Sequence, residues 1–228
     1  MKVRSSRIGP GVAVLCTAML CLVATPAAFA ASADPGPNAL DRFLTGLNTL
    51  SADFTQSVTD SHGEAAGAGS GRLLVQRPGR FRWDYTPREA GAESRGQLLV
   101  ADGKNLWFYD RELAQVTVKP VEAALSATPI VLLSGSVAQL HGSFEISAAA
   151  AHDGMDWVEV KPRSSEADFK HAELGFTAGK LVRMVVNDRL GQTVQLDFQH
   201  SERNARVDAD ALRFKPPAGV DVIGTPQG

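Results

Sequence analysis

From Asn38 the chain reads NALDRFLTGLNTL, with apolar residues Leu40, Phe43, Leu44, Leu47 and Leu50 at i, i+3, i+4, i+7 and i+10. That spacing predicts one amphipathic helix over 38–50, with Asn38 as N-cap and Asp41 three residues further on. Past the helix the period drops to two. DFTQSVTD alternates Phe54, Gln56 and Val58 against Thr55 and Ser57, and RFRWDY sets Phe81, Trp83 and Tyr85 against Arg80, Arg82 and Asp84. Such alternation predicts strands with two unlike faces. RLLVQ, QLLVA, NLWFY and QVTVK extend the series, and Asp102-Gly103 between two of them signals a hairpin. A Gly-rich connection is expected from Gly63 to Gly71. In NLWFY the aromatics are consecutive, so Trp107 and Tyr109 face one side and Phe108 the other, and both faces need cover.

Between Pro120 and His141 the alternation stops. VEAALSATPIVLLSGSVAQLH predicts one or two short apolar helices, with Thr128 as N-cap and Pro129 at the first helical position. Strands resume at FEIS, WVEV, HAELGF, LVRMVVN and TVQLDF, where Val194, Leu196 and Phe198 point inward. DADALRFKPPAGVDVI closes the chain with a turn of helix and an extended tail. Roughly ten or eleven short strands with two helical interruptions predict a mainly antiparallel β protein, and a sheet that long tends to curl. The helices would then plug its concave face.

The first thirty residues stand outside this pattern. Lys2, Arg4 and Arg7 precede an apolar run over about 11–24, and Ala28-Phe29-Ala30 is a small-residue cleavage pattern. Residues 1–30 therefore read as a secretory signal peptide, and 31–228 as one domain beginning with a flexible stretch, Ser32 to Pro37. The apolar run is short of the roughly 20 residues needed to span a bilayer. Both cysteines, Cys16 and Cys21, fall inside the leader, and Leu20 is too large for the small residue before a lipid-modified cysteine. The mature chain must hold together in an oxidising compartment without disulfides. With three of the 23 basic residues in the leader, 20 remain against 25 acidic ones, a net charge of −5. No basic cluster is left to attract nucleic acid.

Catalytic chemistry has little to stand on. The five histidines, His62, His141, His152, His171 and His200, lack metal-pair spacing, and no mature cysteine is available as a ligand. GAGSG at 67–71 has alanine inside the pattern a nucleophile elbow requires, and no phosphate-binding glycine loop follows a strand. His171 near Asp168 and Glu173 reads as a solvated strand position, and Asp153 and Asp156 as turn residues. The reading is a binding protein, not an enzyme, with no metal or cofactor. Arg77 is the remaining oddity, an arginine closing the apolar strand LLVQ before a proline that keeps its backbone extended. Taken alone, it reads as a strand-end side chain reaching solvent.

Five stretches, LSADFTQSVTD, VQRPGRFRWDY, LLVADGKNLWFYD, SATPIVLLSGS and LRFKPPAGVDV, together resemble the periplasmic lipoprotein carrier family LolA, in the family's order and over essentially the whole mature chain. The resemblance implies an incomplete, half-open antiparallel β-barrel with a helical lid over an apolar cavity. It implies a monomeric periplasmic carrier that takes triacylated lipoproteins from an inner-membrane ABC transporter and passes them to an outer-membrane receptor. Carried over residue by residue, it makes Arg77 a lid latch to backbone carbonyls around Leu44 and Leu133. Phe81 and Leu99 become cavity residues, with Trp83 following by alternation and Leu47 and Ile130 supplied by the lid. A lid stripe of Phe43, Leu44, Leu47 and Leu50 would fill the cavity until lipid displaces it. The loop TPREAGAESRG, 86–96, is longer than the family pattern, and PIVLLSGS lacks the aromatic or methionine of many relatives. A carrier of another lipid or glycolipid on this scaffold, and a periplasmic sensor domain, are the alternatives.

Overall fold

The alternating stretches form one sheet of 12 strands. The computed structural model describes residues 38–89, 95–121 and 129–228. The leader 1–30, the mature start, the middle of the loop 86–96 and Thr128 lie outside the described residues. The first half of the sheet contains β1 (Thr49–Thr59), β2 (Ala65–Gln76), β3 (Arg80–Pro87), β4 (Gln97–Asp102), β5 (Asn105–Asp110) and β6 (Gln115–Pro120). The second contains β7 (Phe144–His152), β8 (Met155–Pro162), β9 (Phe169–Thr177), β10 (Lys180–Asp188) and β11 (Thr193–Arg203). A short β12 (Asp221–Ile223) follows. The order is β12-β6-β5-β4-β3-β2-β1-β11-β10-β9-β8-β7, two meanders joined where β1 pairs with β11. Neighbours are antiparallel except β12, which runs parallel to β6. The end strands β7 and β12 do not pair with each other, so the sheet stays open.

The first helix is shorter than its apolar stripe. α1 covers Ala39–Leu44, capped by the Asn38 side chain, which accepts from the Asp41 N–H. Gly46 then takes φ +68°, and strand geometry begins at Thr49. Leu47 and Leu50 nevertheless stay buried. Helix, turn and strand deliver their apolar residues to the same core, so the stripe continues after the helix has stopped. α2 (Val131–Ser134) and α3 (Val137–Ser143) form the middle excursion. Pro129 sits in the turn before α2, whose N-cap is Ile130. A 3-10 turn, Ala209–Leu212, precedes β12.

The Gly-rich stretch also departs from expectation, because only residues 60–64 turn and β2 starts at Ala65. Its glycines make room for rings. A Cβ on Gly71 would lie 2.5 Å from Phe54 Cζ, and one on Gly69 would lie 2.4 Å from Tyr85 Cε2. Glycine in a strand interior marks such close approaches. Phe54, lying over Gly71, stacks on Trp83 with ring centroids 3.8 Å apart.

The sheet separates two apolar clusters. The large one gathers α1, α2, Leu140 of α3, and the inward residues of β1–β3 and β7–β11. The small one, Leu98, Val100, Trp107, Val116 and Val118, lies on the other face of β4–β6 under Phe214 and Val220. This covers the second face of NLWFY: the C-terminal segment lies across it, with Phe214 and Trp107 ring centroids 5.6 Å apart.

Candidate functional site: a plugged apolar hollow

One hollow of about 280 Å³ opens within the concave face. Trp83 of β3, Leu99 of β4 and Phe108 of β5 form one side of its wall; Met184 and Val186 of β10 and Val194 and Leu196 of β11 form the other. β5 and β10 are far apart in strand order yet border the same space, so the sheet curls around it. Gln56 and Gln97 are the wall's polar side chains, and Pro129 and Ile130 close it from the helical side. The volume falls at the lower edge of ligand pockets, which hold about 300–1,000 Å³. Larger contents require the cover to move.

Local structure explains each wall position. Trp83 projects inward by the alternation of β3 and is held flat by Phe54, for which Gly71 leaves room. Leu99 and Phe108 are directly paired across β4 and β5. Phe108 faces the hollow because its neighbour Trp107 faces the other way, anchored by its indole N–H donating to Asp102 Oδ2 at 2.7 Å. Met184 and Leu196 are likewise cross-strand partners.

Two residues expected on the wall, Phe81 and Leu47, do not line the described hollow; they are buried in the same large cluster to which the wall residues Ile130, Met184 and Leu196 belong. Phe81 stands at the closed end of β3, opposite Val75 and Ala101, where neighbouring side chains already fill the space. The stripe of α1 is equally buried and contributes no side chain to the described wall. The cover therefore comes from Pro129 and Ile130 ahead of α2. Phe108, Met184, Val186, Val194 and Leu196 also line the hollow; the sequence leads one to expect Val194 and Leu196 facing inward and Phe108 facing away from Trp107, whereas Met184 and Val186 carry no such expectation. Alternation alone signals Phe108, because its neighbour is committed to the opposite face.

Arg77 sits where β2 ends beneath the helices. Its Nη1 donates to Leu44 O at 2.6 Å and Leu47 O at 3.3 Å; its Nη2 and Nε donate to Gly135 O at 2.7 and 3.1 Å. The second helical carbonyl is that of Gly135, two residues beyond Leu133, whose carbonyl is not among the described bonds. Helix geometry gives the reason. Leu44 ends α1 and Gly135 follows the last residue of α2, and carbonyls at helix ends lack intrahelical partners. A planar guanidinium can serve both ends at once. Burial lowers its pKa from the ordinary arginine value, yet arginine remains a cation in proteins. Backbone bonds place it: Arg77 N donates to Asn48 O and Gly79 N to Ser134 O, at 2.8 and 2.9 Å.

Taken together, a curled open sheet, an apolar hollow and a polar clasp on its helical cover define a carrier scaffold, whose working parts bind and release. Residues 45–215 match the family described as "Outer membrane lipoprotein carrier protein LolA". The outer-membrane lipoprotein carrier protein of Methylibium petroleiphilum is 41 % identical over 207 residues, 90 % of this chain and 95 % of the relative. That of Chromobacterium violaceum is 39 % identical over 206 residues, covering 90 % and 96 %. That of Methylococcus capsulatus is 38 % identical over 196 residues, covering 86 % and 91 %. The chain belongs to the LolA family and is a periplasmic carrier of the lipoprotein-carrier type.

Proposed function

We propose that this carrier receives lipoproteins from an inner-membrane ABC transporter, holds their acyl chains in the hollow walled by Trp83, Leu99, Phe108 and Ile130, and gives them to an outer-membrane receptor. Residues 1–30 direct export and are removed, and the mature chain travels as a monomer with no cofactor and no bond-breaking step. One observation carries the reading: an apolar hollow smaller than its cargo, closed by a short segment that a single arginine clasps.

The energetics favour such a device. Each CH₂ taken out of water is worth about 0.8 kcal/mol, so a lipidated protein does not cross an aqueous space alone. An apolar surface large enough to shield it would invite aggregation if left open. A plug solves this when it can be displaced. Arg77 offers bonds of charged type, each worth about 1.5–3 kcal/mol, strong enough to close the empty carrier and weak enough to yield to acyl chains. Incubating the mature protein and ATP with inner-membrane vesicles that hold both lipoproteins and the transporter tests the reading directly. Lipoproteins should appear in the soluble fraction bound to it; their complete retention on the vesicles would refute it.

A further inference from the structure

The two edges of the sheet are unequal. β12 is three residues long, whereas β7 runs over Phe144–His152. Its sequence, FEISAAAAH, holds no lysine and no proline, with Glu145 as its one formal charge. Long edges of that kind recruit other strands, and proteins blunt or cover them. The register shows which backbone groups are open. Arg163 N donates to Ser143 O at 2.9 Å, and the ladder continues with Glu145 opposite Lys161 and Ser147 opposite Glu159. Alternation turns those residues toward β8 and turns Phe144, Ile146 and Ala148 away from it. The Phe144 N–H is taken by Leu140 O at the end of α3. No described strand pairs with Ile146 and Ala148 on that side.

A groove of about 600 Å³ lies beside them, bordered by Asn38, Ala39, His141, Ile146, Ala148 and Trp157. His141 Nε2, 3.0 Å from the Asp41 carboxylate, keeps the start of α1 at this place. The described chain begins at Asn38, in extended backbone, so the residues before it connect to the groove itself. These are Ala31-Ser32-Ala33-Asp34-Pro35-Gly36-Pro37. Each proline biases the residue before it, Asp34 and Gly36, toward extended geometry. Along a strand the N–H groups of alternate residues point the same way, so prolines at 35 and 37 strip donors from one side only. Such a segment can pair through Asp34 and Gly36 and presents a proline edge to solvent.

We propose that residues 34–37 dock antiparallel on β7 as an edge strand, with Gly36 opposite Ile146 and Asp34 opposite Ala148, each pair exchanging both backbone hydrogen bonds. The direction follows from position. α1 starts beside α3, and α3 leads into the start of β7, so the chain before Asn38 runs back along β7 toward His152. Pro35 and Pro37 then face outward and end the sheet, because neither offers an N–H to a further strand. The carrier thereby covers its own long edge with a segment that a second copy cannot extend.

Docking of this segment is independent of the cargo, so its failure would leave the carrier reading standing. Amide hydrogen exchange tests it on the protein beginning at Ala31, against a shortened protein beginning at Asn38. The amides of Ile146 and Ala148 should exchange at least tenfold faster in the shortened protein, while that of Ser147, turned toward β8, keeps its rate. Gly36→Pro removes the donor facing Ile146 and should raise both rates in the same way. Pro35→Ala, altered on the solvent side, should leave them unchanged. Residues 31–228 contain no cysteine, which permits a second readout. Pro35→Cys combined with Ser147→Cys places two thiols on directly opposed positions, with Cα atoms about 4.5 Å apart and within disulfide reach. Mild oxidation should link them within one chain, and Pro35→Cys with Ser70→Cys on β2 should stay reduced. Equal exchange of Ile146 and Ala148 in the two proteins, or no intrachain link to Ser147→Cys, overturns the proposal. Protection that survives the shortening and grows with protein concentration would assign the edge to a second copy and overturn it as well.

Discussion

Trp107 and Phe108 are neighbours on β5, yet they belong to opposite solutions of the same problem. On the outer face Trp107 packs with Val100, Val116 and Val118 beneath Phe214 and Val220. The strap over it is secured further along: Asn105 and Gln227 exchange two hydrogen bonds, and Lys104 Nζ donates to Gly228 O. On the inner face Phe108 borders a hollow whose cover is one short helical segment and one arginine clasp. The outer cover is dispersed over many small contacts. The inner cover concentrates its polar hold at the Arg77 side chain and one backbone bond, Gly79 N to Ser134 O, and leaves space beneath. A permanent seal and a displaceable plug thus occupy the two sides of one strand.

That contrast can be broken at graded cost. Phe81→Asp places a charge inside the packed core, and the uncompensated carboxylate should unfold the mature protein, with the folded circular-dichroism signal lost at 25 °C. Phe108→Asp should instead fold and melt within a few degrees of the parent while losing tenfold or more in lipopeptide affinity. Comparable destabilisation by the two would remove the distinction between core and hollow. Trp107→Ala should cost about 3–5 kcal/mol in urea unfolding, as for buried aromatic truncations, with loading of the folded fraction unchanged. Arg77→Leu should weaken closure by at least about 1.5–3 kcal/mol, the worth of a single charged bond. It should take up lipoprotein normally and hand it on slowly in a vesicle-to-vesicle transfer assay. Transfer at the parental rate would sink the clasp.

The smallest effect concerns Asp102, which anchors the outer face at the β4–β5 turn. Burial raises its carboxyl pKa, but donors from Asn105 N, Trp107 Nε1 and Lys104 N outweigh that and hold it below the ordinary aspartate value. A depressed folded-state value means stability that is complete above the unfolded value of about 3.9 and fades as pH falls through the folded one. Asp102→Asn should therefore cost about 1 kcal/mol at pH 7 in urea unfolding, and its deficit should shrink progressively below pH 4. A deficit independent of pH would assign the loss to geometry and not to charge.

Local pattern carried far in this protein. The pleat makes alternation a property of a few consecutive residues, so strand positions, the Asp102-Gly103 hairpin and the opposed faces of Trp107 and Phe108 are legible without any partner. The cap at Asn38 is local as well. The length of α1 is not, because the same leucine spacing suits a helix and a helix-turn-strand path whose ends both reach one core. The strand character of 65–71 was equally hidden, since its ladder partners lie on β1 and β3 and the reason for glycine at 69 and 71 is two rings, Tyr85 and Phe54, lying across them from those strands.

The sequence by itself determined a mainly antiparallel sheet with helical cover, its inward and outward residues, and the family to which it belongs. Only the tertiary structure decided that Phe108 and Met184 border the described hollow while Phe81 and Leu47 do not, and that Arg77 reaches Gly135 O. Facing inward follows from the period of a strand. Whether an inward side chain meets a neighbour or a void depends on volumes contributed by elements distant along the chain, and which carbonyl an arginine reaches depends on where two helices end in space.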